Sequence, residues 1–400
     1  MKNHYLGYFL IIVFNILFFK KYGGDFFNII PTSILVIILL VGSFYYYIRV
    51  LKSFYFSSLH GIIYLLFFIM YISLFWTNSL HYAIEKIVTF LFTIIIFYLF
   101  TPVIYKYFKF YLFISILFYL LYLVDLYLSY GFINELASQM VLNFRLGWDD
   151  DDLTLFHPIG IARFISLGLF TLLFTYQLYK RKHFSILFVF LLLFCIGLIY
   201  LFFSGTKTPI LALVLSVSLY YLVNYFISMY TKIIIILIPI MLVILFYLLF
   251  IFNVGLTHNQ KVYIEYRFFN PSAAFKDRAY QNNRALDKID ASNLILGTGS
   301  GNFSYLYNKK DIRDYPHNIF SELLIENGII SALIVLYLLF IIVKINRYNQ
   351  SIPIKYFIII FYYYYINSLF SGDLISNNIL FGFFILIINS SFYEKKECLE

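Results

Sequence analysis

Charged residues are scarce in this chain. Asp, Glu, Lys and Arg make up 12% of its 400 residues, against 62% hydrophobic residues and a mean hydropathy of +0.85. Soluble domains carry about 25% charged residues, and so thin a polar surface would not stay hydrated. An ordinary soluble domain is therefore excluded. Cysteine is nearly absent too. Cys195 sits inside an apolar run and Cys398 in the C-terminal tail, so no disulfide framework is available. No His/Cys cluster has metal-ligand spacing, and neither a metal nor a cofactor is expected. Internal repeats, low-complexity linkers and an appended soluble segment are also missing. One integral membrane domain over residues 1–400 is the economical reading.

What the chain has instead is long apolar stretches. Runs of about 18 or more apolar residues predict roughly twelve membrane-spanning helices. They fall near 5–19, 27–48, 59–76, 83–101, 107–130, 159–178, 185–203, 210–229, 233–253, 325–343, 354–370 and 376–392. The fold class expected is all-α, a polytopic bundle. The first run is short, ends in Lys20-Lys21 and is followed by no small-residue cleavage site, so it reads as an uncleaved anchor.

Basic residues orient the bundle. Arg49 and Lys52, Lys106 and Lys109, Lys180-Arg181-Lys182, Lys232, Lys344 and Arg347, and Lys395-Lys396 all fall in connections of one parity. That parity is assigned to the cytoplasm, with both termini on the same side; Lys20-Lys21 dissent. The connections 131–158 and 254–316 are then extracytoplasmic. The second is about sixty residues long, beyond the usual loop and of a length that is functional or disordered. It is net positive, with Lys261, Arg267, Lys276, Arg278, Arg284, Lys288, Lys309, Lys310 and Arg313. Such a loop is either merely solvated or suited to an anionic lipid or phosphate.

Within this loop "FKDRAYQNNRALDKI", 275–289, reads as a short helix that Asp277 is placed to cap. Arg278 and Arg284 do not share a face of it, so each reads as a solvent charge or a separate anion contact. "LILGTGSGNFSYLYN", 294–308, carries alternate glycines that invite a phosphate-cradle reading. A nucleotide fingerprint also needs a preceding strand and a following helix of a βαβ unit. The glycines lie, moreover, on the side without nucleotides. "YPHNIFSELLIENGIISALIVLY", 315–337, opens a helix, and Pro316 is expected in its first turn. His317 would then sit at the positive end of the helix dipole, which disfavours imidazolium and leaves a base able to accept a proton. Asn318 and Glu322, four apart, are placed to brace each other.

Other positions carry weaker signals. Lys207 follows "SGT" at an outer mouth and reads as either a snorkelling lysine or an anion contact. Arg163 in "HPIGIARF" lies roughly 6–8 Å inside a span at 1.5 Å per residue. Asp125 lies similarly deep in the preceding span, and the two suit an ion pair. The run Asp149-Asp150-Asp151-Asp152 reads as a solvated loop.

In order, the basic residue after "SGT", the loop-helix arginine, "LGTGSGNF" and "PHNIFSELLIENGII" resemble the O-antigen polymerase and O-antigen ligase family. The motifs cover about residues 204–330. The resemblance implies a metal-independent glycosyltransferase in the bacterial inner membrane, active on its periplasmic side. Its donor would be an oligosaccharide on undecaprenyl pyrophosphate, and its partners are membrane lipid and no nucleic acid. Whether a polysaccharide chain-length regulator binds is left open. His317 matches the family's proposed base, and Arg278 matches an arginine that holds the carrier pyrophosphate; both are assigned to catalysis. Lys207, Arg284, Arg163, Asn318 and Glu322 are assigned to substrate binding. Lys207 stands where the family usually has arginine, which replaces a bidentate fork by a point charge. The glycines are then a tight turn that positions the His317 helix. A repeat-unit polymerase is favoured. The alternatives are a ligase that moves the glycan to lipid A–core, and a flippase or transporter of the same lipid-linked sugar.

Overall fold

The computed structural model describes residues 2–21, 31–51, 57–130, 158–179, 184–203, 206–224, 280, 283, 286–287, 289–349 and 351–397. Among these residues every regular element is helical. The helices are α1 (Lys2–Lys21), α2 (Thr32–Leu51), α3 (Ser58–Ile72), α4 (Leu80–Lys106), α5 (Phe108–Tyr130), α6 (Pro158–Tyr179), α7 (Phe184–Phe203) and α8 (Lys207–Val223). After them come α9 (Ala291–Leu296), α10 (Phe303–Asn308), α11 (Ile319–Tyr348), α12 (Ile352–Phe370), α13 (Leu374–Asn377) and α14 (Ile379–Glu397). Eight helical segments among the described residues are long and apolar enough to cross a membrane. The chain is an all-α polytopic membrane protein. Each predicted span coincides with a helix except 233–253, which lies outside the described residues, as does the acidic run 149–152.

The chain divides into two compact units. The first takes in α1, α2 up to Tyr46, the last turn of α4, and α5 to α8. Within it α1 lies against α5, α5 against α6, and α6 against α7. Phe19, Tyr122 and Phe164 form the aromatic joint of the first three, with ring centroids 4.3 to 5.7 Å apart. Ser115 Oγ donates to Asn15 Oδ1 at 2.9 Å, a polar tie between α1 and α5. Hydrogen bonds of this kind hold apolar helices together where lipid is the solvent.

The second unit takes in α3, most of α4, and α9 to α14. Helix α11 is its hub and touches α3, α9, α10, α12 and α14. Helices α12 and α14 are buried on all sides over most of their length, residues 356–368 and 379–390, which are largely apolar. Tyr362, Tyr363 and Tyr364 are fully enclosed. The far side of α11, by contrast, exposes Leu333, Leu336, Tyr337 and Phe340, as expected of a face that meets lipid. At one end of this unit His60 Nε2 lies 2.7 Å from Asn389 Oδ1 and joins the start of α3 to α14. The opposite end, where α4, α11 and α13 begin, gathers the remaining buried charge.

Helix α11 is not straight. At Gly328 the backbone turns to φ 79°, ψ 177°, which splits it into limbs 319–327 and 329–348. A break of this kind leaves carbonyls of the first limb without their usual partners four residues on. The glycine stretch supplies replacements: Thr298 N–H donates to Ile325 O at 2.9 Å and Gly299 N–H to Glu326 O at 2.8 Å. Gly297 and Gly328 both hold left-handed φ angles at this contact. A Cβ on Gly297 would strike the Glu326 carbonyl, and one on Gly328 the Ile295 carbonyl.

Candidate functional site

The glycine stretch answers the phosphate question by its hydrogen bonds. Gly297 N–H bonds to Asn293 O, Ser300 N–H to Ser73 Oγ, Gly301 N–H to Glu326 Oε2 at 2.8 Å and Asn302 N–H to Gly299 O. Together with Thr298 and Gly299, the whole run of N–H groups is spent inside the protein. A phosphate cradle needs those donors turned outward. This segment is a brace for the kinked helix. Ser73, Ser300 and Asn327 complete it: Asn327 Nδ2 donates to Ser300 Oγ at 2.8 Å and to Ser73 Oγ at 3.1 Å.

The first limb of α11 starts later than its sequence suggests. Asn318 is the N-cap, and its side-chain oxygen accepts from Phe320 N–H at 2.8 Å and Ser321 N–H at 3.2 Å. Pro316 and His317 therefore precede the helix, whereas Pro316 was expected in its first turn. The reason is local: Asn is among the strongest capping residues, and a residue in left-handed conformation cannot continue into a right-handed helix. His317 has that conformation, with φ 58°. Non-glycine residues pay for such a backbone and hold it where the surroundings impose it, often at functional positions. The Tyr315 ring lies edge-on to the His317 imidazole, 4.5 Å between centroids. Asn318 Nδ2 also donates to Leu369 O at 2.9 Å, which ties the cap to the end of α12.

Asn318 and Glu322 turn to different partners rather than bracing each other. Glu322 faces inward, fully enclosed, and meets Lys86 of α4, with Nζ 2.5 Å from Oε1. Glu326, four residues on and on the same face, receives the same ammonium at 2.8 Å and 2.7 Å. The carboxylates also reach backbone donors: Leu374 N–H to Glu322 Oε2 at 2.9 Å, and Gly301 N–H to Glu326 Oε2. The Tyr82 ring lies 4.4 Å from Lys86 Nζ.

Tyr82 links this triad to a second one. Its hydroxyl donates to Asp373 Oδ2 at 2.7 Å, and Arg313 donates to the same carboxylate through Nε at 2.9 Å and Nη2 at 3.0 Å. Asp373 also caps α13. Burial pushes its carboxyl upward, but the Arg313 guanidinium, Ser376 and Tyr82 outweigh burial and hold it well below the usual carboxylate range. Arg313 keeps 44% of its side chain exposed. Asp311 caps the start of α4 through His81 and Tyr82 N–H. Asp314 is pushed up by burial, against bonds from Tyr315 N–H and Asn308.

Of the residues assigned from sequence, His317, Asn318 and Glu322 lie together in the second unit. Lys207, exposed at the start of α8, and Arg163, buried in α6, belong to the first unit. Arg278 and Arg284 lie outside the described residues. So does most of the expected helix 275–289; within it Asp287 N–H donates to Asn283 O at 2.9 Å, as one helical turn would. Among the described residues no three His, Cys, Asp or Glu side chains converge as metal ligands do. Lys86, Glu326, Tyr82 and Asp373 were not singled out from the sequence. The signal was available: the rule that marks Asp125 and Arg163 as charges inside spans applies equally to Lys86 and Glu326.

These features define a multi-pass helical membrane protein with a strained histidine at the capped mouth of a kinked helix, backed by buried ion pairs. Residues 192–337, from α7 through the first two-thirds of α11, match the family model described as O-antigen ligase. The matched stretch is under half of the chain, and over it the chain is similar to O-antigen ligases, in agreement with the family that its motifs resemble. No curated protein and no solved structure matches the chain.

Proposed function

We propose that the chain is a surface-polysaccharide polymerase. It moves a growing glycan from undecaprenyl pyrophosphate to a hydroxyl of a lipid-linked repeat unit, at the periplasmic face of the inner membrane. The observation that carries the reading is His317, held in a left-handed backbone beside the Asn318 cap and within the segment that matches the family. In this mechanism the imidazole takes the proton from the acceptor hydroxyl as its oxygen attacks the anomeric carbon. The new C–O bond forms while the bond from the anomeric carbon to the pyrophosphate oxygen breaks, and that electron pair leaves with the lipid pyrophosphate. Direct displacement inverts the anomeric centre. Cations at the developing charge lower the barrier, and Arg278 and Lys207 are the side chains assigned to it, with Arg284 and Arg163 as further anion contacts. Glu322, enclosed on Lys86, holds the helix and does not touch sugar.

The test is transfer by purified full-length protein with lipid-linked repeat units. His317→Asn is the informative variant, because Asn tolerates the left-handed backbone and cannot serve as this base. Its rate should fall by about 10²-fold or more. A rate equal to that of the unmodified protein would remove His317 from the chemistry. Acceptor choice separates the ligase reading: transfer to lipid A–core in preference to a repeat unit decides against the polymerase.

A further inference from the structure

We propose that Lys86 is a positioning residue of this site. Its ammonium fixes the first limb of α11, the glycine turn and the start of α13 in one arrangement, and through them the His317 imidazole. The proposal rests on the reading of His317 as the base. Lys86 is 1% exposed, too enclosed by Glu322 and Glu326 to meet substrate. It acts through what those carboxylates hold. Glu322 joins it to Leu374 N–H, and Glu326 joins it to Gly301 N–H, so three chain segments meet at one charge.

Stability alone does not account for such a triad. Taking three charges out of water is costly, and well-packed apolar residues in place of a buried ion pair are often neutral or stabilising. What ion pairs supply and apolar packing lacks is a defined geometry. The geometry matters here because Gly328 breaks α11, so the long limb 329–348 does not dictate the direction of 319–327. The short limb is aimed by its side contacts. Glu322 lies one helical turn, about 6 Å, from the Asn318 cap. A tilt at the triad is therefore passed to the residue just before the cap, and displacements of about 1 Å at a reacting group can cost 10²-fold in rate.

The experiment compares full-length protein with Lys86→Met and with the charge-free set Lys86→Met/Glu322→Gln/Glu326→Gln, which keeps volume and leaves no unpaired buried charge. Two readouts are taken per folded molecule. The first is transfer kinetics: kcat should fall about tenfold or more in the charge-free set, with donor KM within about threefold, because the damage is to alignment and not to donor binding. The second is independent of any sugar. His317→Cys, in a Cys195→Ser/Cys398→Ser background, is labelled in membranes with a polar maleimide. Neutralising the triad should change its labelling rate by about fivefold or more. An unchanged labelling rate together with unchanged kcat in the folded charge-free protein overturns the proposal. So does a loss of activity wholly explained by a smaller folded fraction. If the unmodified protein transfers no glycan, the functional reading fails, while the labelling arm still decides whether Lys86 sets the position of residue 317.

Discussion

At the scale of single residues, the charges at this end of the second unit differ in kind. Lys86 is sealed, whereas Arg313 is half in solvent and grips a sealed partner, Asp373. Asp373 is bound more strongly as carboxylate than as acid, so its folded-state value lies below its unfolded one. Such a group adds stability that is fully present above the unfolded value, about pH 4, and is lost as pH falls through the folded value. Asp373→Asn should therefore lower stability at pH 7 by about 1–3 kcal/mol. Detergent-solubilised protein, followed by thermal unfolding, should show the gap between the two proteins narrowing as pH drops from about 5 to 3. A gap that widens over that range contradicts the assignment. None of this was legible from composition. Lys86 and its partners are separated by 236 and 240 positions in the chain, and hydropathy says that a segment spans without saying which segment it meets. His317, by contrast, was singled out because its motif is local; its role in transfer is part of the proposal.

At the scale of elements, the spans were visible because lipid demands long apolar runs, and each predicted run among the described residues is a helix. The break in α11 was not visible, because apolar residues continue on both sides of Gly328 and a lone glycine does not interrupt the pattern. Two alanine substitutions separate the roles of glycine here. Gly328→Ala forces a side chain onto φ 79° and against the Ile295 carbonyl. It should cost about 1–3 kcal/mol or more and reduce the folded yield. Gly61→Ala, inside α3, adds a Cβ that meets nothing within 4 Å. It should be neutral or stabilise by about 0.5–1 kcal/mol. Thermal unfolding of the two variants side by side checks both; equal effects would mean that the kink is not held by its glycine.

At the scale of the whole molecule, the proposal depends on sidedness. The proposal puts both termini in the cytoplasm and residue 317 in the periplasm, where an activated sugar needs no nucleotide. Cysteines placed singly at residues 3 and 317 should react with a membrane-impermeant maleimide in opposite ways in intact cells: 317 labelled, 3 protected. Labelling of both, or of residue 3 alone, would undo the assignment. The match over residues 192–337 agrees with the proposed class of chemistry, and the acceptor is decided by experiment.

The most direct measurement is the surface-polysaccharide pattern of a strain that lacks this chain and is complemented with the unmodified sequence or with His317→Asn. The account predicts a restored ladder in the first case and a single repeat unit in the second. A full ladder from His317→Asn, or an unaltered ladder in the uncomplemented strain, would contradict it.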